Sequence, residues 1–146
     1  ARFDCVEKSY IYLMYRAPER AVMTDRAWAV DPNIDVGRMK NAAKRFVGEK
    51  DFKSFMAGGS DTASSIRRVS GADVYEKDGF IVFETAANGF LYNMVRIMTS
   101  AVEAAGRGKL TETEIDDLIA AKDRTQVKGT APAFGLYLKS QKYKEE

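Results

Sequence analysis

Tyrosines and arginines carry most of the chemistry in this sequence of 146 residues. Tyr10, Tyr12 and Tyr15 stand close together in KSYIYLMYR at residues 8–16. A phenol there could stack on a planar ring or move a proton. The plain alternative is an aromatic core residue whose hydroxyl finds one hydrogen bond, and the spacing does not select Tyr10 over Tyr12 or Tyr15. Arg96 follows Asn88-Gly89-Phe90 on the second turn of an expected helix, roughly opposite the centre of its apolar stripe. It reads either as a solvated helix arginine or as the partner of a carboxylate or phosphate, because helix N-termini favour anions.

Other chemistry is excluded by composition. The chain has no histidine and one cysteine, so histidine acid–base catalysis, Ser-His-Asp triads and His- or CxxC-ligated metals are out of reach within it. Cys5 has no internal partner, which points to a reducing compartment and hence the cytoplasm. The net charge of +2 is too balanced for a general nucleic-acid binder. A local basic surface remains open: Arg67-Arg68 follow a small-residue loop, and residues 122–144 hold six basic side chains against one acidic, Asp123. Such a run is either a solvated face or, with aromatics near it, an RNA surface. Gly106-Arg107-Gly108-Lys109 lacks the strand and spacing of a phosphate loop and reads as a helix stop with a basic end.

The elements that must position these groups follow from patterning. Residues 8–16 predict an interior strand with apolar residues on both faces, and residues 26–30 a short second strand. Asp35 caps a helix running to about Val47, with Val36, Met39, Ala43, Phe46 and Val47 as its stripe and Gly48 as its stop. Residues 51–55 add one more turn, and residues 57–65 form a loop. Residues 67–76 and 80–86 read as a hairpin across Lys77-Asp78-Gly79. Residues 91–105 form the clearest helix. Thr111 and Glu114 form a capping box opening a helix to about Lys122, and residues 136–143 a last strand. With 45% hydrophobic residues the chain fills a core, and no stretch is long enough to span a bilayer. The expected class is α+β: one domain over 1–146, a mostly antiparallel sheet with helices packed on one face.

Seven segments of this sequence occur in a familiar order: KSYIY at 8–12, VGEKDFKSF at 47–55, SIRRV at 65–69, NGFLYNMVR at 88–96, GRGKL at 106–110, AKDRT at 121–125 and APAFGLYL at 131–138. In that order and spacing they resemble the C-terminal half of tRNA pseudouridine synthases of the TruA type, over essentially the whole chain. The resemblance implies half of a bilobal fold, and an enzyme that isomerises uridine to pseudouridine in the anticodon arm of tRNA, at positions 38–40. It implies no cofactor or metal, and a homodimer that tRNA spans. The family's opening half usually ends in FHARF, and this chain starts Ala1-Arg2-Phe3 without an initiator methionine, so the missing half is expected upstream. The family's essential aspartate lies in a G-R-T-D motif that this sequence does not contain, and the fragment alone is expected to be inactive.

Four residues carry over. Tyr10 matches the tyrosine that lies against the target base as a candidate proton acceptor, and Arg96 the arginine that pairs with the catalytic aspartate. Leu136 matches an apolar wall of the pocket, and Arg67 a basic position near the RNA cleft. Where the family often reads M-V-R-N-I-V-G, this chain has Met94-Val95-Arg96-Ile97-Met98-Thr99-Ser100, a departure that bears on helix packing behind the site. The competing reading is a non-catalytic RNA-binding α+β module.

Overall fold

A computed structural model describes residues 3–17, 26–58 and 64–145. Residues 59–63, within the expected loop, and residues 18–25 lie outside the described residues. Among the described residues six strands form one sheet: β1 (Phe3–Arg16), β2 (Trp28–Val30), β3 (Gly48–Asp51), β4 (Ile66–Lys77), β5 (Phe80–Ala87) and β6 (Leu136–Glu145). The main path runs β2-β1-β5-β4-β3, and β6 pairs with β1 on the side that β2 continues. Among the described strands only the β1–β2 pairing is parallel. The described residues also form three α-helices: α1 (Val36–Ala43), α2 (Met94–Gly106) and α3 (Glu112–Ala121). The α+β class with a mostly antiparallel sheet is as expected.

Alternation in the strands builds the core. Tyr12 and Met14 on β1 and Ile81 and Phe83 on β5 are cross-strand pairs, all fully or almost fully buried. They pack with Val74, Met39, Met94 and Met98 in one cluster. Each large apolar side chain removed from water contributes about 1.5–3 kcal/mol. Phe46, Phe52 and Phe55 form an aromatic group at one end, with Phe55 edge-on to Phe46 at 5.1 Å.

On its other face β1 is less covered than two apolar faces predict. Ile11 and Leu13 are half-buried there. They line a shallow depression made by strand and hairpin residues alone, among them Tyr75, Phe80, Val82 and Lys139.

The ends of elements show where local signals succeeded. Asp78 and Gly79 both adopt positive φ, the geometry of a tight hairpin turn. The capping box is present in both directions, Thr111 Oγ1 accepting from Glu114 N–H and Glu114 Oε1 from Thr111 N–H. Several boundaries differ, among them the start of β1, at Phe3 rather than residue 8, and that of β2, at Trp28 rather than residue 26. Helix α1 stops at Ala43, tightens into a 3-10 turn over Lys44–Phe46, and releases Val47 as extended, exposed backbone. Gly48 is therefore not a helix stop: at φ 121° it opens β3, a polar strand without alternation. Helix α2 begins at Met94, because Leu91–Asn93 form a turn with Asn93 at φ 60°.

Candidate active site

Tyr10, Arg96 and Leu136 come from three separate segments and line one open depression of about 230 Å³, together with Phe90, Tyr92 and Asn93. Tyr10 sits in the middle of the sheet, opposite Thr85 on β5 and Leu138 on β6. A register shift against β6 falls between Ser9 and Tyr10, with Lys139 as the extra residue; such bulges re-aim neighbouring side chains. The Tyr10 ring meets Phe90 edge to face at 5.4 Å and 81°. Its hydroxyl has no hydrogen-bond partner among the described residues.

The neighbouring tyrosines are spoken for differently. Tyr12 is fully buried, and its hydroxyl donates to the Pro132 carbonyl at 2.5 Å. Burial drives its pKa up from the ordinary phenol value, against the pull of the nearby Arg96 guanidinium. Tyr15 is buried with an unpartnered hydroxyl. Geometry thus separates the three tyrosines that sequence spacing left equivalent, and only Tyr10 reaches the depression.

Arg96 is the third residue of α2 rather than a second-turn residue, nearer the positive end of the helix dipole than its expected boundary implied. It is half-buried. Its Nε donates to the Ala131 carbonyl at 2.8 Å and its Nη1 to Asn93 Oδ1 at 3.3 Å. Ala131 N–H in turn donates to the Arg96 carbonyl at 3.0 Å. The remaining guanidinium N–H groups meet no acceptor, and no carboxylate forms an ion pair with Arg96, among the described residues. Arg96 is therefore neither solvated on all sides nor internally neutralised.

Leu136 opens β6 and is held in place by what precedes it. Tyr12 and Arg96 take the consecutive carbonyls of Pro132 and Ala131, pinning the approach to the strand. At Gly135 a β-carbon would lie 2.7 Å from Tyr12 Cζ and 3.0 Å from the Leu13 carbonyl oxygen. Only glycine lets the backbone pass so close to β1. The segments KSYIY, NMVR and APAFGL thus meet because each holds another.

Arg67 lies at the edge of this arrangement and does not line the depression. It runs over Gly89, whose β-carbon position is 3.6 Å from Arg67 Nε, and donates to the Ser64 and Ile66 carbonyls. Of the basic run, Arg124 bonds to Val127, Gly129 and Thr130, while Lys139 and Lys142 pair with Glu84 and Glu7. Asp123 caps a local turn through Thr125. Much of that charge is structural. The departures after Arg96 are absorbed behind the site: Ile97 is fully buried in the core, and the Ser100 hydroxyl donates to the Lys128 carbonyl.

Asn93 and Phe90 occur in the segments quoted from the sequence, but nothing there assigns either a place in the site. Their one available signal was position, in the short segment just before an arginine-bearing helix.

A family model described as tRNA pseudouridine synthase matches residues 42–144. The chain belongs to this family. Among curated tRNA pseudouridine synthases A, that of Ruminiclostridium cellulolyticum is 46% identical over 140 residues, covering 94% of this chain and 57% of the relative. That of Leuconostoc mesenteroides is 42% identical over 145 residues, covering 94% and 55%. That of Azorhizobium caulinodans is 35% identical over 147 residues, covering all of this chain and 57% of its own length. The chain therefore spans a little over half the length of the relatives it matches. Among its described residues no helix is long and apolar enough to cross a membrane.

Proposed function

We propose that the chain is the C-terminal half of a tRNA pseudouridine synthase and supplies one wall of its active site. The observation that carries this is the meeting of Tyr10, Leu136 and Arg96 in one depression, with the free N–H groups of Arg96 unmatched by any described carboxylate. The reaction breaks the N1–ribose bond of uracil and forms a C5–ribose bond; C5 gives up its hydrogen as a proton and N1 takes one up. A uridine must leave its stack to be reached, and Phe90, Tyr10 and Leu136 offer it an aromatic and apolar platform. The Tyr10 hydroxyl, without a hydrogen-bond partner among the described residues, is free to take or return a proton at the base. Arg96 holds an aspartate supplied from outside residues 1–146, keeping it ionised for nucleophilic attack, since an adjacent cation favours the charged carboxylate.

Arg67, beside the Phe90 turn, contributes charge for the phosphate backbone. The substrate is the anticodon arm of tRNA at positions 38–40, acted on in the cytoplasm by a homodimer; these assignments rest on the family resemblance. The test is pseudouridine formation on anticodon-arm RNA by the whole protein and by residues 1–146 alone, with circular dichroism to confirm that both are folded. Conversion at 38–40 by the whole protein and none by the folded chain is expected. A folded chain that makes pseudouridine unaided would overturn the division of labour, and an inactive whole protein would favour a non-catalytic RNA binder.

A further inference from the structure

The start of α2 breaks the pattern of the other two helices. Asp35 before α1 and Thr111 before α3 hold extended backbone, and their side chains accept from Arg38 N–H and Glu114 N–H. That is the ordinary way an N-cap residue satisfies a helix end. Asn93 occupies the same position before α2 but adopts left-handed backbone, φ 60° and ψ 11°, and caps nothing with its side chain. Left-handed conformations of residues other than glycine are uncommon and gather at functional sites. Here the forgone cap frees the amide: Oδ1 accepts from Arg96 Nη1 at 3.3 Å, and Asn93 lines the same depression as Arg96.

We propose that Asn93 is a positioning residue, whose side-chain carbonyl and the Ala131 carbonyl hold the Arg96 guanidinium at two nitrogens and turn its remaining N–H groups toward an incoming carboxylate. The proposal rests on the reading of Arg96 given above. Two acceptors on two different nitrogens fix the plane of the guanidinium, which one acceptor would leave free to rotate. Both acceptors are neutral. They orient the cation without cancelling its charge, so its electrostatic pull stays available to the partner. An aspartate at position 93 would do the opposite, occupying Arg96 with a charge-assisted bond and repelling a second carboxylate.

The test uses the whole protein with three variants, reading kcat and KM for release of the uracil C5 hydrogen, and the melting temperature. Asn93→Gly keeps the left-handed turn, which glycine adopts freely, and removes only the amide. It is expected to melt at or above the parent temperature, with KM within about threefold and kcat lowered roughly 10- to 100-fold, the scale of a small misplacement at a reacting centre. Asn93→Asp also tolerates this backbone and is expected to be slower than Asn93→Gly. A kcat for Asn93→Gly within twofold of the parent would overturn the proposal, leaving the residue a turn former. Asn93→Asp matching or exceeding Asn93→Gly would also overturn it. Arg96→Ala is run alongside: normal turnover in that variant defeats the reading of Arg96 itself. An inactive Arg96→Ala with a fully active Asn93→Gly defeats only the positioning role.

Discussion

Replacing Arg96 with alanine in the whole protein is expected to lower single-turnover pseudouridine formation by about 10³-fold or more, the scale set by removing a preorganised charge partner at a reacting centre. The effect is expected on chemistry more than on folding. Losing the bond to Ala131 leaves a carbonyl in a buried residue without its partner, at a cost of about 1–3 kcal/mol. The melting temperature should fall, while the protein stays folded at assay temperature. Arg96→Lys separates charge from shape. Lysine keeps the cation but has no planar fork to meet Ala131, Asn93 and a carboxylate together, so it is expected to remain at least about 10²-fold slow. Turnover near the parent level in Arg96→Ala would remove Arg96 from the site and leave it a brace for the Ala131 segment.

Removing only the hydroxyl of Tyr10 is expected to have the next largest effect. Tyr10→Phe keeps the ring that meets Phe90 at 5.4 Å, so the platform for the base survives. The lost hydroxyl has no partner among the described residues, and stability is expected to change by no more than about 0.5 kcal/mol. If Tyr10 moves the proton, kcat should drop by about 10²–10⁴-fold with KM within a few-fold. The measurement is kcat and KM for release of the C5 hydrogen. A kcat within a factor of a few would reduce Tyr10 to a stacking surface. Tyr12→Phe is the informative contrast, because Tyr12 is bonded to Pro132 behind the wall and its loss reads out first as stability.

The residues explain how much of this was legible from sequence. Local chemistry announced itself wherever it depends on neighbours in the chain: Asp35 and Thr111 cap helices, and Asp78-Gly79 turns a hairpin. The apolar stripe of α2 was readable too, but burial of Ile97, Thr99 and Glu103 beyond that stripe was not. Thr99 and Glu103 satisfy their polar atoms within the helix and its C-cap, at the Val95 carbonyl and Arg107. Strand β3 was invisible because Gly48, Glu49, Lys50 and Asp51 carry no alternation, and its pairing with β4 is a backbone matter.

At the site, residue types could propose a tyrosine and an arginine but not choose among three tyrosines. That choice depends on which hydroxyl Pro132 takes, 120 positions away. Resemblance selected Tyr10, Arg96 and Leu136, and the fold brings them to one depression. Arg67 it places at the edge. Asn93 escaped notice because its signal is a backbone angle, and asparagine before a helix reads as an ordinary cap.

The central claim is that Arg96 waits for a carboxylate from outside this chain, and the most direct measurement is a distance. In a crystal structure of the whole protein, an aspartate oxygen is expected at about 2.7–2.9 Å from a guanidinium Nη atom of Arg96, with the Ala131 bond kept. Arg96 turned to solvent, or paired with a carboxylate from within residues 1–146, would contradict the account.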